Sequence, residues 1–326
     1  MTAPARSAPT TFYREIDRNR RRSWVLVAAV ILVLGVLGGA IGYATGIGWV
    51  GVVVAVALAG VMSVGSYFAG DALVMATSGA RQLDVANPGD AHRQLVNVVT
   101  EMSLAGGLPM PRIWIIDDSA PNAFATGRDP KHASVAVTTG LLEKLDREEL
   151  QGVIGHEMSH IGNYDIRFTL LVGVLVGAIA LLADFFLRFT FWGGGRRNSD
   201  NDRGGGAGGL AVILLVVALV LAIIAPLVAR IVQASVSRTR ESLADVTGVE
   251  LTRNPLGLSR ALRKIADDRE VLEVANRATQ HLYIVNPIKS FEERAKSLFD
   301  THPPIGERVR ALDAIAGHFG EPGPRP

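Results

Sequence analysis

The sequence contains no cysteine. Disulfides and thiolate-held metals are therefore excluded, and any metal site must draw on histidine and carboxylate ligands. Charge of one sign is scarce as well. Thirty-three Lys and Arg against 31 Asp and Glu leave a net charge of +2, too small an excess to indicate nucleic acid as a partner without a concentrated basic patch. Charged residues make up only 20% of the chain and aromatic residues 6%, whereas 48% is hydrophobic. Together with a mean hydropathy of +0.27, this is the balance of a protein that keeps part of its apolar surface in lipid. No internal repeat is present.

Four apolar stretches reach the length of roughly 20 residues that a bilayer-crossing helix requires. They run from about Trp24 to Tyr43, Trp49 to Gly70, Phe168 to Trp192 and Leu210 to Val232. The first is too long for a signal-peptide core and is succeeded at once by the second, so it reads as an anchor. Arg18, Arg20, Arg21 and Arg22 precede it and predict a cytoplasmic amino terminus. The chain then divides into a cytoplasmic segment 1–23, a membrane hairpin 24–70, a cytoplasmic part 71–167, a second hairpin 168–232 with an outward Gly-rich loop 193–209, and a second cytoplasmic part 233–326. Even span counts put both long polar segments on one side of the bilayer, where they can meet.

In the first of these, Ala91–Ala105 has the period of a helix, while Arg112–Ile116, Asn122–Thr126 and Ser134–Thr138 read as strands, the last two separated by the turn-prone Gly127–Pro130. Asp146 and Glu149 form a capping-box signature at the start of a further helix. That helix carries His156-Glu157-Met158-Ser159-His160. Its two histidines project one turn apart, where both imidazoles can converge on one ion, and Glu157 lies near enough to touch a bound water. The second polar segment supplies Glu241 and Asp245, also one turn apart. Glu241 can complete the ligand set while Asp245 accepts the second N–H of a ligand histidine. Taken singly, each motif also fits a bland alternative: two chance histidines, or an ordinary solvated helix face.

The motifs in order are Asn122-Ala123-Phe124-Ala125-Thr126-Gly127, His156 to His160, Ser237 to Asp245, Asn286-Pro287 and Thr301-His302-Pro303-Pro304. In this series the chain resembles the HtpX-type membrane zinc peptidases, relatives of the eukaryotic CAAX prenyl proteases. The resemblance implies an α+β membrane protein of about four transmembrane helices with a cytoplasmic zincin-like (gluzincin) domain built around a small sheet. It implies a zinc endopeptidase with one ion per chain, held by His156, His160 and Glu241, with Glu157 as general base. Its substrates would be misfolded or damaged membrane proteins, cleaved on the cytoplasmic side of the inner membrane as part of a stress response, with no nucleic acid involved. Asn122 matches the residue that bonds the reacting carbonyl region, His302 the one that stabilises the oxyanion, and Ser134–Thr138 the exposed edge strand on which a peptide lies. Two rivals stay open. An intramembrane protease would need its histidine helix in the bilayer, against the charges of residues 146–149 and 163–167; a catalytically silent membrane adaptor would share the fold.

Overall fold

The computed structural model describes residues 48–171, 238–268 and 304–320, with 21, 24, 25, 28, 32, 270, 283 and 284 besides. Most of the expected span at 24–43, nearly all of that at 168–192, the whole of that at 210–232, the loop 193–209 and His302 lie outside the described residues. The chain divides into two compact units, one of residues 1–23, 71–170 and 236–326, the other of 24–70 and 171–235.

In the second unit the described structure is mainly the first part of helix α1 (Trp49–Thr77), which carries no charged residue from Trp49 to Gly70. Trp49, Val54, Val61, Val64 and Phe68 are exposed on it. Several other side chains of α1 are not described; over those that are, no helix is long and apolar enough to cross a membrane.

The first unit is a small mixed sheet packed on helices. Strands β1 (Arg81–Gln82), β2 (Arg112–Ile116), β3 (Ala123–Gly127) and β4 (Ala133–Thr138) take the order β1-β2-β4-β3. β2 and β4 are parallel, with Ile113 opposite Val135 and Ile115 opposite Val137, while β3 runs antiparallel to β4, with Ala125 opposite Val135. Period-two alternation puts Ile113, Ile115, Ala123, Ala125, Val135 and Val137 on one face, and all six enter the hydrophobic core. That core is closed by helices α2 (Gly89–Gly106), α4 (Arg147–Gly162), α5 (Arg238–Thr252), α6 (Pro255–Asp267) and α7 (Ile305–Gly320). A short helix α3 (Thr139–Lys144) leads from β4 to α4.

Contrary to the expectation from sequence, Ser134–Thr138 is not an edge strand: β4 pairs with β2 on one side and β3 on the other. The edge on that side of the sheet is β3. Thr138 N donates to Asn122 O at 3.0 Å, so alternation turns the backbone groups of Ala123, Ala125 and Gly127 outward. At the outer side Ala123 O accepts from Ile284 N at 3.0 Å, and the buried Tyr283 ring meets Phe124 edge-on at 4.8 Å between centroids.

Helix α4 runs through the middle of the unit. It starts where the sequence places it: Asp146 Oδ1 accepts from Glu149 N, and Glu149 Oε2 accepts from Asp146 N, both at 2.9 Å. Leu150, Val153, Ile154, Met158 and Ile161 are all buried. Glycines set how closely its neighbours approach. A Cβ built at Gly152 would lie 2.4 Å from Leu258 N in α6, and one at Gly155 would lie 3.2 Å from Gly248 O in α5. Gly152→Ala gains about 1 kcal/mol of helix propensity, but the α6 backbone must move to admit the methyl, an overpacking cost of about 1–3 kcal/mol that can exceed the gain. A lowered melting temperature for Gly152→Ala in detergent, with Gly317→Ala as an open-space control, is the expected result; an unchanged one would contradict the close packing.

Candidate metal centre

His156 and His160 lie one turn apart on α4, and Glu241 enters from the first turn of α5. Their ligand atoms all fall within 4.8 Å of one another. His156 Nε2 is 3.2 Å from His160 Nε2. Glu241 Oε2 stands 3.6 Å from the former and Glu241 Oε1 3.6 Å from the latter. The three residues that the sequence singles out therefore come together, although 80 residues of chain separate His160 from Glu241.

The outward-facing ring nitrogens are both engaged. His156 Nδ1 is 3.0 Å from Asp245 Oδ1, and His160 Nδ1 is 3.0 Å from Asp165 Oδ2. With Nδ1–H donating to a carboxylate in each case, Nε2 is the atom that each ring turns towards the other and towards Glu241. Glu157 is buried beside them, and its charge acts on His160 and on Arg308. Asn122 is buried at the start of β3, its backbone N donating to Thr138 Oγ1 and its side-chain Oδ1 accepting from Ala123 N at 3.1 Å.

Asp245, expected from its helical spacing, has a partner that the sequence does not announce. Arg308 comes from α7, is almost wholly buried, and donates to Asp245 through Nε at 2.9 Å and Nη2 at 2.6 Å. The same Nη2 lies 3.3 Å and 3.4 Å from the two nitrogens of His156, and Nη1 lies 3.7 Å from Glu241 Oε2. Nothing in the local sequence around Arg308 marks it, since its partners are more than 60 positions away. Asp165 likewise escapes sequence reading; its only signal is its position five residues after His160.

Two opposite tendencies set the electrostatics. Glu157, Glu241, Asp165 and Asp245 are buried carboxylates, and Arg240 and Arg308 are buried guanidiniums. With all four acids ionised and both histidines neutral, the cluster carries two uncompensated negative charges, which burial penalises severely. A bound divalent cation neutralises them. Without one, protons must serve. Burial works to lower the pKa of His160, but the hydrogen bond from its ring to Asp165 and the charges of Glu241, Asp165 and Glu157 outweigh it and raise the value from 6.5 to about 9. Burial works to raise that of Asp245, yet Arg308 and His156 hold its carboxyl far below the usual carboxylate range.

A buried His₂–carboxylate cluster on a helix beside a small sheet is the architecture of a metallopeptidase. The chain belongs to peptidase family M48, whose sequence profile matches residues 90–316. A protease HtpX homolog from Lactiplantibacillus plantarum is 45% identical over 301 residues, covering 92% of this chain and 98% of that one. Another, from Thermoanaerobacter pseudethanolicus, is 42% identical over 307 residues, covering 94% of this chain and 98% of that one. The crystal structure of S. mikatae Ste24p aligns over 92% of this chain and 67% of that one, with 17% identity and a TM-score of 0.46. The resemblance to HtpX-type peptidases holds over most of the chain, and the protein is a metalloprotease.

The raised His160 pKa gives a signed prediction. Because the folded value lies above 6.5, protonated His160 stabilises the metal-free protein fully below about pH 6.5, and that contribution is lost as the pH rises through about 9. Chelator-treated protein should melt at lower temperatures as the pH is raised from about 7 to about 9.5. Metal affinity should climb about tenfold per pH unit from about pH 7 towards about 9, because binding displaces one proton, and level off above that. Competition titrations against a chelator at several pH values, together with melting curves, check both signs.

Proposed function

We propose that this chain is a membrane-embedded zinc endopeptidase that cleaves misfolded or damaged membrane proteins on the cytoplasmic side of the cell membrane, as part of a stress response. The observation that carries the reading is the convergence of the three donor groups. Ligands about 2.0–2.1 Å from a tetrahedral zinc lie about 3.4 Å from one another; the two imidazole Nε2 atoms are 3.2 Å apart, the two oxygens of Glu241 stand 3.6 Å from one ring each, and with a single oxygen taken from Glu241 the three ligand atoms lie within 4.8 Å of one another. His156 Nε2, His160 Nε2 and a Glu241 oxygen would hold the ion, one per chain. Bound there, zinc supplies Lewis-acid polarisation and lowers the pKa of water towards about 7.

The protein's own groups supply the rest. Glu157 takes a proton from the attacking water and returns it to the leaving amine. Asp245 keeps the proton on His156 Nδ1, with Arg308 fixing the carboxylate by two hydrogen bonds. Asn122 lies at the entry to the edge strand, where it can bond the carbonyl region of a peptide, and His302 is assigned to the oxyanion on its motif alone. Substrate would add as a strand along the outer side of β3, at Ala125 and Gly127, rather than along β4. The uncharged stretch Trp49 to Gly70, helical throughout, supports the membrane hairpin 24–70, and the spans at 168–192 and 210–232 complete the four-helix topology of the reading.

Proteolysis of an unfolded reporter by the full chain in detergent tests this. Glu157→Gln should retain stoichiometric zinc and lose cleavage by roughly 10²–10⁴-fold, the worth of a general base. His156→Ala should lose the zinc itself. Reporter capture without cleavage by the zinc-loaded wild type would favour the silent adaptor.

A further inference from the structure

The zinc reading assigns a partner to His156 but none to His160. The structure provides one by an unusual route. Helix α4 ends at Gly162 with Asn163 as its C-cap, and the next residue, Tyr164, takes a left-handed conformation with φ 60°. A side chain with a Cβ loses about 1–2 kcal/mol in that conformation, so the turn persists only because something is gained from it. Immediately beyond the turn comes Asp165, which is 5% exposed and points its Oδ2 at His160 Nδ1 from 3.0 Å. The backbone then becomes helical again, with Thr169 Oγ1 donating to Asp165 O at 3.0 Å.

The second oxygen of Asp165 faces a charge of opposite sign. Arg240 Nη1 lies 3.8 Å from Asp165 Oδ1, and the Arg240 guanidinium sits 4.9 Å from the centre of the Phe168 ring. Arg240 is itself 4% exposed and immediately precedes Glu241. The separation is long for a hydrogen bond but short for two buried charges, whose attraction is weakly screened. One carboxylate thus touches a ligand histidine on one side and, on the other, the residue next to the third ligand.

We propose that Asp165 and Arg240 form a positioning pair for the metal centre. Asp165 holds the proton of His160 on Nδ1 so that Nε2 faces the ion, and Arg240 balances Asp165 while keeping the start of α5 at the distance from which Glu241 reaches the site. The proposal rests on the zinc reading, which it deepens. The His156 side is anchored through the paired hydrogen bonds of Arg308 and Asp245; the His160 side is held by the Tyr164 turn and by the longer ion pair to Arg240. Carboxylate partners of ligand histidines are worth about 10–100-fold in metal affinity.

The test uses the full chain in detergent and zinc as the probe. Chelator competition should give a zinc Kd raised about 10–100-fold in Asp165→Ala and raised in Arg240→Gln as well. Asp165→Asn, which still offers an oxygen to Nδ1–H, should recover part of the loss, a rescue that a merely space-filling role would not produce. The wild type carries a test that needs no variant. In ¹⁵N spectra of histidine-labelled, zinc-loaded protein, both ligand rings should keep the proton on Nδ1 and bind zinc through Nε2. Zinc on Nδ1 of His160, or wild-type Kd values for Asp165→Ala, would overturn the proposal. Failure of the wild type to bind zinc at all would instead overturn the reading beneath it.

Discussion

Everything around the metal centre is arranged to keep four carboxylates and two guanidiniums out of water in a space that also holds two imidazoles. Burying a lone charge in such a place is prohibitive, and three of these acids have partners close by: Asp245 has Arg308, Asp165 has His160 and Arg240, and Glu241 lies between both histidines and Arg308. The residual negative charge is what makes a divalent ion the natural occupant. Helices α4, α5 and α7 each contribute members to this network, so the packing of the unit and the electrostatics of its centre cannot be altered separately.

The close helix contacts serve the same end. Glu241 reaches its position only if α5 lies against α4, and the facing glycines 155 and 248 permit that approach: a Cβ on Gly248 would come within 3.1 Å of the His156 backbone N. On the other flank, Gly152 lets α6 touch α4, while Lys264 of α6 bonds Glu149, a member of the α4 capping box, at 2.7 Å. The helix that bears the histidines is therefore fixed at its start by a cap and along its length by backbone contact on two sides.

How much of this is legible in the sequence depends on the range of the interactions involved. The strand Arg112–Ile116 and the cap at Asp146 are local, and the structure places both where residue periodicity and capping chemistry put them. The convergence of His156, His160 and Glu241 is readable because the two histidines obey helical spacing and because the motif order resembles a known family. Arg308 and Arg240 are not readable, since a lone arginine acquires meaning only from partners brought to it by folding. Asp165 is hidden by the Tyr164 turn: helical geometry continued past Asn163 would place it elsewhere. Ser134–Thr138 is recognisable as a strand but not as an interior one, because pairing partners, unlike alternation, are not local.

The distribution of ligands along the chain also bears on the order of events during synthesis. A ribosome adding about 5–20 residues per second completes the histidine helix well before Glu241, which comes 81 positions after His160, a delay of about 4–16 seconds at that pace. On the proposed zinc reading, the nascent protein offers during that interval two imidazoles and Glu157 but no third donor, and two histidines alone hold zinc poorly. On that reading the ligand set is complete only once Glu241 has been made.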